Sequence, residues 1–131
     1  MVMRQESGQQ LQEFTAKVTD VKFETDLARE TRQYHLELEP TELKVAGKTG
    51  KFHEWIPMSA KATETSIPAG GVLDRYLQMV ENCLPNAEKA KTVAEAFGMM
   101  KGKTFRFKKM KLGRDFEGKK AKEYSTPVAL I

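Results

Sequence analysis

The amino-acid sequence predicts a small β-barrel with a helical insertion between its third and fourth strands. Two observations predict it. Apolar and polar residues alternate in five separate stretches, the period of a half-buried strand. Between the third and fourth stretch the period changes to that of an amphipathic helix. The element order is therefore βββ-α-ββ. Slips of parity and glycine-bounded bends suit a short, strongly curved sheet. Another α+β fold built on an antiparallel sheet is the alternative with the same order.

The elements follow in order. Residues 1–9 are polar and read as a flexible N-terminus; residues 10–131 read as one domain. From Leu11 onward Phe14, Ala16 and Val18 alternate with Thr15, Lys17 and Thr19. Val21 and Phe23 resume on the other parity, so a bulge is expected near Thr19-Asp20. Glu24 to Glu30 reads as a polar connection. Tyr34, Leu36 and Leu38 then mark a clean second strand, ending at Pro40. Leu43 to Val45 extends it or forms a short strand, and Ala46 to Gly50 is a turn. The third strand runs from Lys51 to Ala60, with Phe52, Glu54, Ile56 and Met58 on one parity and His53, Trp55 and Pro57 on the other. Large side chains on both parities predict one face in the core and one covered by a partner, a loop or a ligand.

The helical region is 71–100. Val72, Leu73, Tyr76, Leu77, Val80 and Leu84 recur at helical spacing, and Pro85 breaks the run. Thr92-Val93-Ala94-Glu95 is a capping-box pattern that starts a second helix. The basic strand region is 101–122. In its strand, Lys103 to Leu112, Phe105 and Phe107 share one parity and Met110 and Leu112 the other, which places a bulge at Lys108-Lys109. A charged connection at 113–120 leads to a last strand within 121–131, where Pro127 implies an edge position or a bulge. This order is that of an oligonucleotide-binding barrel, or OB-fold.

A chain of 131 residues fits one domain and can bury a core without covalent staples. The single cysteine, Cys83, excludes an internal disulfide, and no Cys/His cluster has metal-ligand spacing. The first residues do not read as a signal peptide, and no apolar run reaches membrane-spanning length. A cytoplasmic protein with no membrane partner is expected. Residues 1–100 hold 12 Lys/Arg against 15 Asp/Glu, whereas residues 101–131 hold 10 against 3. A field of one sign on one part of a surface points to a polyanionic partner.

The basic segment interleaves cations with aromatics. Arg106 and Lys108 point away from Phe105 and Phe107, which read as core. Arg106, Lys108, Lys109, Lys111 and Arg114, with Lys119, Lys120 and Lys122 behind them, are the expected phosphate contacts. Trp55, the sole tryptophan, lies on the parity opposite the core set and is the expected stacking residue; Phe116 anchors its loop or serves as a mobile stacking finger. The expected function is non-catalytic binding of single-stranded nucleic acid, DNA ahead of RNA, through a basic and aromatic face. A structural or interaction subunit, oligomerising or docking through the apolar stretch Pro127 to Ile131, is the alternative.

No signal for catalysis is strong. His35 and His53 can face each other across neighbouring strands, but no carboxylate stands at a spacing that would complete a site. They read as ordinary polar-face residues. Cys83 reads as buried and inert. Gly47-Lys48-Thr49 lacks the upstream glycine of a phosphate-binding loop. No cofactor is expected.

Overall fold

The computed structural model describes residues 13–41, 51–113, 118 and 121–131. The N-terminus 1–9, Leu11, the stretch from Leu43 to Gly50, and the candidates Arg114, Phe116, Lys119 and Lys120 lie outside the described residues. The elements are β1 (Glu13–Asp26), β2 (Thr31–Pro40), β3 (Phe52–Met58), α1 (Val72–Cys83), a 3₁₀ turn (Pro85–Lys89), α2 (Val93–Gly98), β4 (Thr104–Lys111) and β5 (Glu123–Leu130). The five strands form one sheet in the order β3-β2-β1-β4-β5, with every pairing antiparallel. This is an α+β fold, with the helices inserted between the third and fourth strands as the periodicity requires.

The inner face of the sheet carries the alternating set read from the sequence. Phe14, Ala16 and Val18 of β1, Tyr34, Leu36 and Leu38 of β2, Ile56 and Met58 of β3, and Phe105 and Phe107 of β4 are all buried. Leu73, Tyr76, Leu77 and Val80 of α1 and Phe97 of α2 close over them. Phe14 stacks on Phe107 at 5.7 Å and Tyr34 on Phe97 at 4.7 Å, so sheet and helices share one aromatic core. Cys83 is buried within it, and desolvation raises its thiol above the ordinary value, as an inert core cysteine requires.

Two expectations need correction. The polar stretch from Glu24 is not a connection at first: β1 continues to Asp26, pairing Glu24 with Gln33 and Asp26 with Thr31. The turn comes only at 27–30, where the Asp26 carboxylate accepts the N–H groups of Ala28 and Arg29 and Glu30 takes φ 54°. The second concerns the bulge expected at Lys108-Lys109. Phe107 pairs with Pro127 and Arg106 with Ala129, so the extra residue is Val128 of β5. Pro127 has no N–H to give the ladder, and the irregularity falls beside it. The other bulge is where parity puts it, with Thr19 unpaired between Val18–Leu38 and Asp20–Glu37.

Side chains tie the helical region to the sheet. Glu64 accepts the Tyr34 hydroxyl proton with one carboxylate oxygen and the Ala94 N–H with the other, at 2.8 Å, while its carbonyl takes the Val93 N–H. Thr92 caps α2 by accepting the Glu95 N–H at 3.1 Å. The return bond of the capping box goes one residue back, from the Lys91 N–H to the Glu95 carboxylate. Arg32 donates to the carbonyls of Ser59 and Ala62, fixing the chain as it leaves β3.

β3 and β5 are the sheet edges, and no backbone ladder joins them among the described residues. One side chain spans the gap. Glu54 of β3 turns inward, 4% exposed, and accepts the Ser125 N–H of β5 at 3.0 Å. Lys109 of β4 lies 3.9 Å from the same carboxylate. The fully buried Tyr76 of α1 donates to the Ser125 carbonyl at 2.8 Å. Both backbone groups of Ser125 are thus used, one by the far edge and one by the helix.

Removing the Glu54 carboxylate strands a buried N–H and leaves Lys109 facing no anion. Glu54→Ala is expected to cost about 3 kcal/mol in urea unfolding. Glu39→Ala, at an exposed position of β2, should stay within about 0.5 kcal/mol.

Candidate functional site

The outer face of β2 and β3 carries an aromatic group that alternation places but does not assemble. The register sets Lys22 of β1, His35 of β2 and Trp55 of β3 in one row. His53 pairs with Glu37 and Glu24 with Gln33, so both lie diagonally from His35, within reach across the strands. Trp55 remains 38% exposed and His53 is exposed. The Trp55 ring stacks on His35 at 4.7 Å and 22° and lies nearly parallel to His53 at 5.7 Å and 21°. The exposed rings of Trp55 and His53 form the open surface, with the half-buried His35 ring packed against Trp55 and tilted 42° from His53.

Glu24 organises this surface. One of its oxygens takes a bond from His35 Nδ1 at 2.8 Å. The other accepts Trp55 Nε1–H at 3.2 Å and the Gln33 amide at 3.1 Å. His35 Nε2 in turn lies 2.7 Å from His53 Nδ1. A carboxylate only accepts, so His35 carries its proton on Nδ1. In the neutral pair Nε2 of His35 then accepts from His53 Nδ1–H, and His53 Nε2 has a bare lone pair. The chain runs from carboxylate through two imidazoles.

Glu24 is also the carboxylate whose absence made the histidines look ordinary in the sequence. Its signal was hidden because it sits in the extension of β1 beyond the Thr19 bulge, a stretch that reads as a charged connection. The hydrogen bond from His35 is the largest influence holding the Glu24 carboxyl below its ordinary value, with smaller contributions from Gln33 and Trp55 and desolvation opposing them. Neighbouring carboxylates are occupied differently. Asp20 meets Lys22 at 3.4 Å and Lys101 at 3.6 Å, and Glu37 meets Lys51 at 2.8 Å and the Thr19 hydroxyl at 2.9 Å.

The cations of β4 stand elsewhere. Arg106 and Lys108 pair with Thr15 and Glu13, at the opposite end of β1 from Lys22. Arg106 donates to the Glu13 carboxylate at 3.0 Å and to the Thr15 hydroxyl at 3.1 Å. Lys109 faces the buried Glu54 at the junction of the sheet edges. Lys108 and Lys111 are exposed and have no ion-pair partner among the described residues. Trp55 and the β4 cations therefore do not share one row, and the basic excess of the sequence divides into structural pairs and open lysines. Phe105 and Phe107 are wholly buried, so neither is a stacking platform.

Sequence reasoning also left a groove unmarked. About 450 Å³ lies between the β1–β2 turn and the end of β3, lined by Arg29, Arg32, Gln33, Pro57 and Met58 among others. Gln33 and Pro57 pair across β2 and β3, one step along from the His35–Trp55 pair, so the groove continues the aromatic surface. Exposed Phe23 and Leu27 lie on and beside the strand that borders it. Among the described residues no three His, Cys, Asp or Glu side chains are placed to hold a metal ion, and no helix is long and apolar enough to cross a membrane.

A depressed carboxylate contributes stability above its ordinary value and loses it as pH falls through the folded value. Glu24→Gln should lower stability by about 0.5 kcal/mol near neutrality, a small effect because the side chain is partly solvated. The difference from wild type should close as pH falls below the ordinary carboxylate range, read by urea unfolding across pH. No protein-family model matches the chain, and no curated protein matches it by sequence.

Proposed function

We propose that this chain is a small OB-like barrel that binds single-stranded nucleic acid, DNA ahead of RNA, without catalysing a reaction on it. The strand order supports the barrel reading. A β3–β5 contact would turn the series β3-β2-β1-β4-β5 into a ring, and the Glu54 bond to Ser125 bridges that junction. In such barrels the face of strands 2 and 3, with the loops joining strands 1–2 and 4–5, is the usual site for oligonucleotides.

A fold carries no function by itself, so the weight rests on one observation: the exposed Trp55 ring, held parallel to His35 and His53 on the β2–β3 face. Every base has a π-face, so such a surface takes bases with little regard to sequence. The β4–β5 connection brings Arg114, Lys119, Lys120 and Lys122 by sequence, and Lys108 and Lys111 supply further open charge for the backbone. A reducing compartment such as the cytoplasm suits the buried free Cys83. A second reading, docking to another protein, is favoured by Leu130 and Ile131, 47% and 69% exposed at the end of edge strand β5.

Titrating oligothymidylate and oligouridylate against Trp55 emission at two salt concentrations tests the binding. Tight, salt-sensitive quenching is expected, stronger for DNA; silence at low salt would refute it. Followed by a labelled oligonucleotide, Trp55→Ala should weaken binding roughly 5- to 100-fold, the worth of one stacked base. Lys108→Gln and Lys111→Gln should each flatten the log–log salt slope by about 0.7. For the second reading, Leu130→Lys should convert any oligomer seen by light scattering to monomer.

A further inference from the structure

We infer that His53 is a phosphate contact on the β2–β3 face, and that it becomes one by taking up a proton whose charge it shares with His35, beside the Glu24 carboxylate. This rests on the reading that the face holds a single strand, and it names the chemistry at that face.

The hydrogen-bond chain dictates where the proton goes. In the neutral pair His53 Nε2 is an acceptor, and an acceptor facing a phosphodiester oxygen repels it. A proton from solvent adds at Nε2. The bridging proton between His53 Nδ1 and His35 Nε2 can then rest on either ring. In both arrangements His53 presents Nε2–H outward and the pair carries one positive charge. A charge-assisted bond from imidazolium to phosphate becomes available beside Trp55.

The surroundings favour that charge at this place. From β1, Asp20 is matched by Lys22 and Lys101; from β2, Glu37 is matched by Lys51, which precedes β3. Glu24 has no Lys or Arg partner among the described residues, and its donors are His35, Trp55 and Gln33. The cation that can neutralise it is the imidazolium of the pair. His35 also lies flat on the Trp55 indole at 4.7 Å, where a cation is attracted by the ring face. With the histidines neutral, an unbalanced carboxylate stands at the edge of the stacking surface and opposes a phosphate. Histidine is the side chain whose ordinary charge change lies between about pH 5 and pH 8, which sets the range for the test.

The test uses the whole chain and oligothymidylate carrying a pH-insensitive dye. Thymine does not protonate in this range, so the polymer contributes no pH dependence of its own. Binding is measured by polarisation at constant ionic strength, at about pH 5.5 and about pH 8. Wild type should bind roughly tenfold more tightly at the lower pH, about what one added charge-assisted contact supplies. His53→Gln, at an exposed position, should bind equally at both. Trp55→Phe should weaken binding at both and keep the ratio. In the free protein, the ring-proton NMR signals of His35 and His53 should move together, as a pair sharing one proton. Equal wild-type affinity at the two pH values overturns the inference while leaving the stacking face intact, and so does an undiminished ratio in His53→Gln. Absence of binding at either pH removes the face and the inference together.

Discussion

A buried carboxylate joins the two edges of the sheet. Glu54 sits at a position where alternation calls for an apolar side chain, between Phe52 and Ile56 on the inner parity of β3. It is ionisable and almost fully enclosed, which is costly unless its lone pairs are used. The Ser125 N–H hydrogen-bonds it, and the Lys109 ammonium 3.9 Å away offsets its charge. The same peptide that donates to Glu54 is linked through its residue's carbonyl to Tyr76, whose buried phenol is pushed well above its ordinary value by desolvation. Strand β3, strand β5 and helix α1 thus meet at one hydrogen-bonded point.

The opposite face of strand β3 carries Trp55. Alternation forces consecutive residues of β3 to opposite faces, so the inward turn of Glu54 and the outward turn of Trp55 are one constraint. On β1 the Thr19 bulge changes parity between Val18 and Asp20. Without that extra residue Glu24 would point to the other face, and His35 would have no carboxylate. A single unpaired residue on one strand therefore decides whether the histidines on its neighbours are joined to an acid.

The charge distribution acquires a different meaning once folded. Seen along the chain, the final stretch is a basic block. In three dimensions Lys101 answers Asp20, Arg106 answers Glu13 and Lys109 answers Glu54, so three of its cations stabilise the scaffold. Lys108 and Lys111 stay open. The proposed binding surface is then less a uniform basic patch than a stack of rings with balanced ion pairs beside it, in which one carboxylate depends on imidazole for its counter-charge.

Periodicity alone determined the five strands, the helical insertion, the Thr19 bulge, the inward Phe105 and Phe107 and the outward Trp55. These follow from local geometry, since a strand must alternate and a helix must repeat every 3.6 residues. The tertiary structure alone decided the rest. It lengthened β1 through Glu24 because partners on β2 and β3 reward that extension, which no local propensity records. It moved the second bulge onto β5 because the missing N–H of Pro127 matters only opposite a partner strand. It brought Glu24, His35, His53 and Trp55 from three strands into one hydrogen-bonded group, a contact set fixed by register. Register is a relation between strands, and a sequence read along one strand at a time does not contain it.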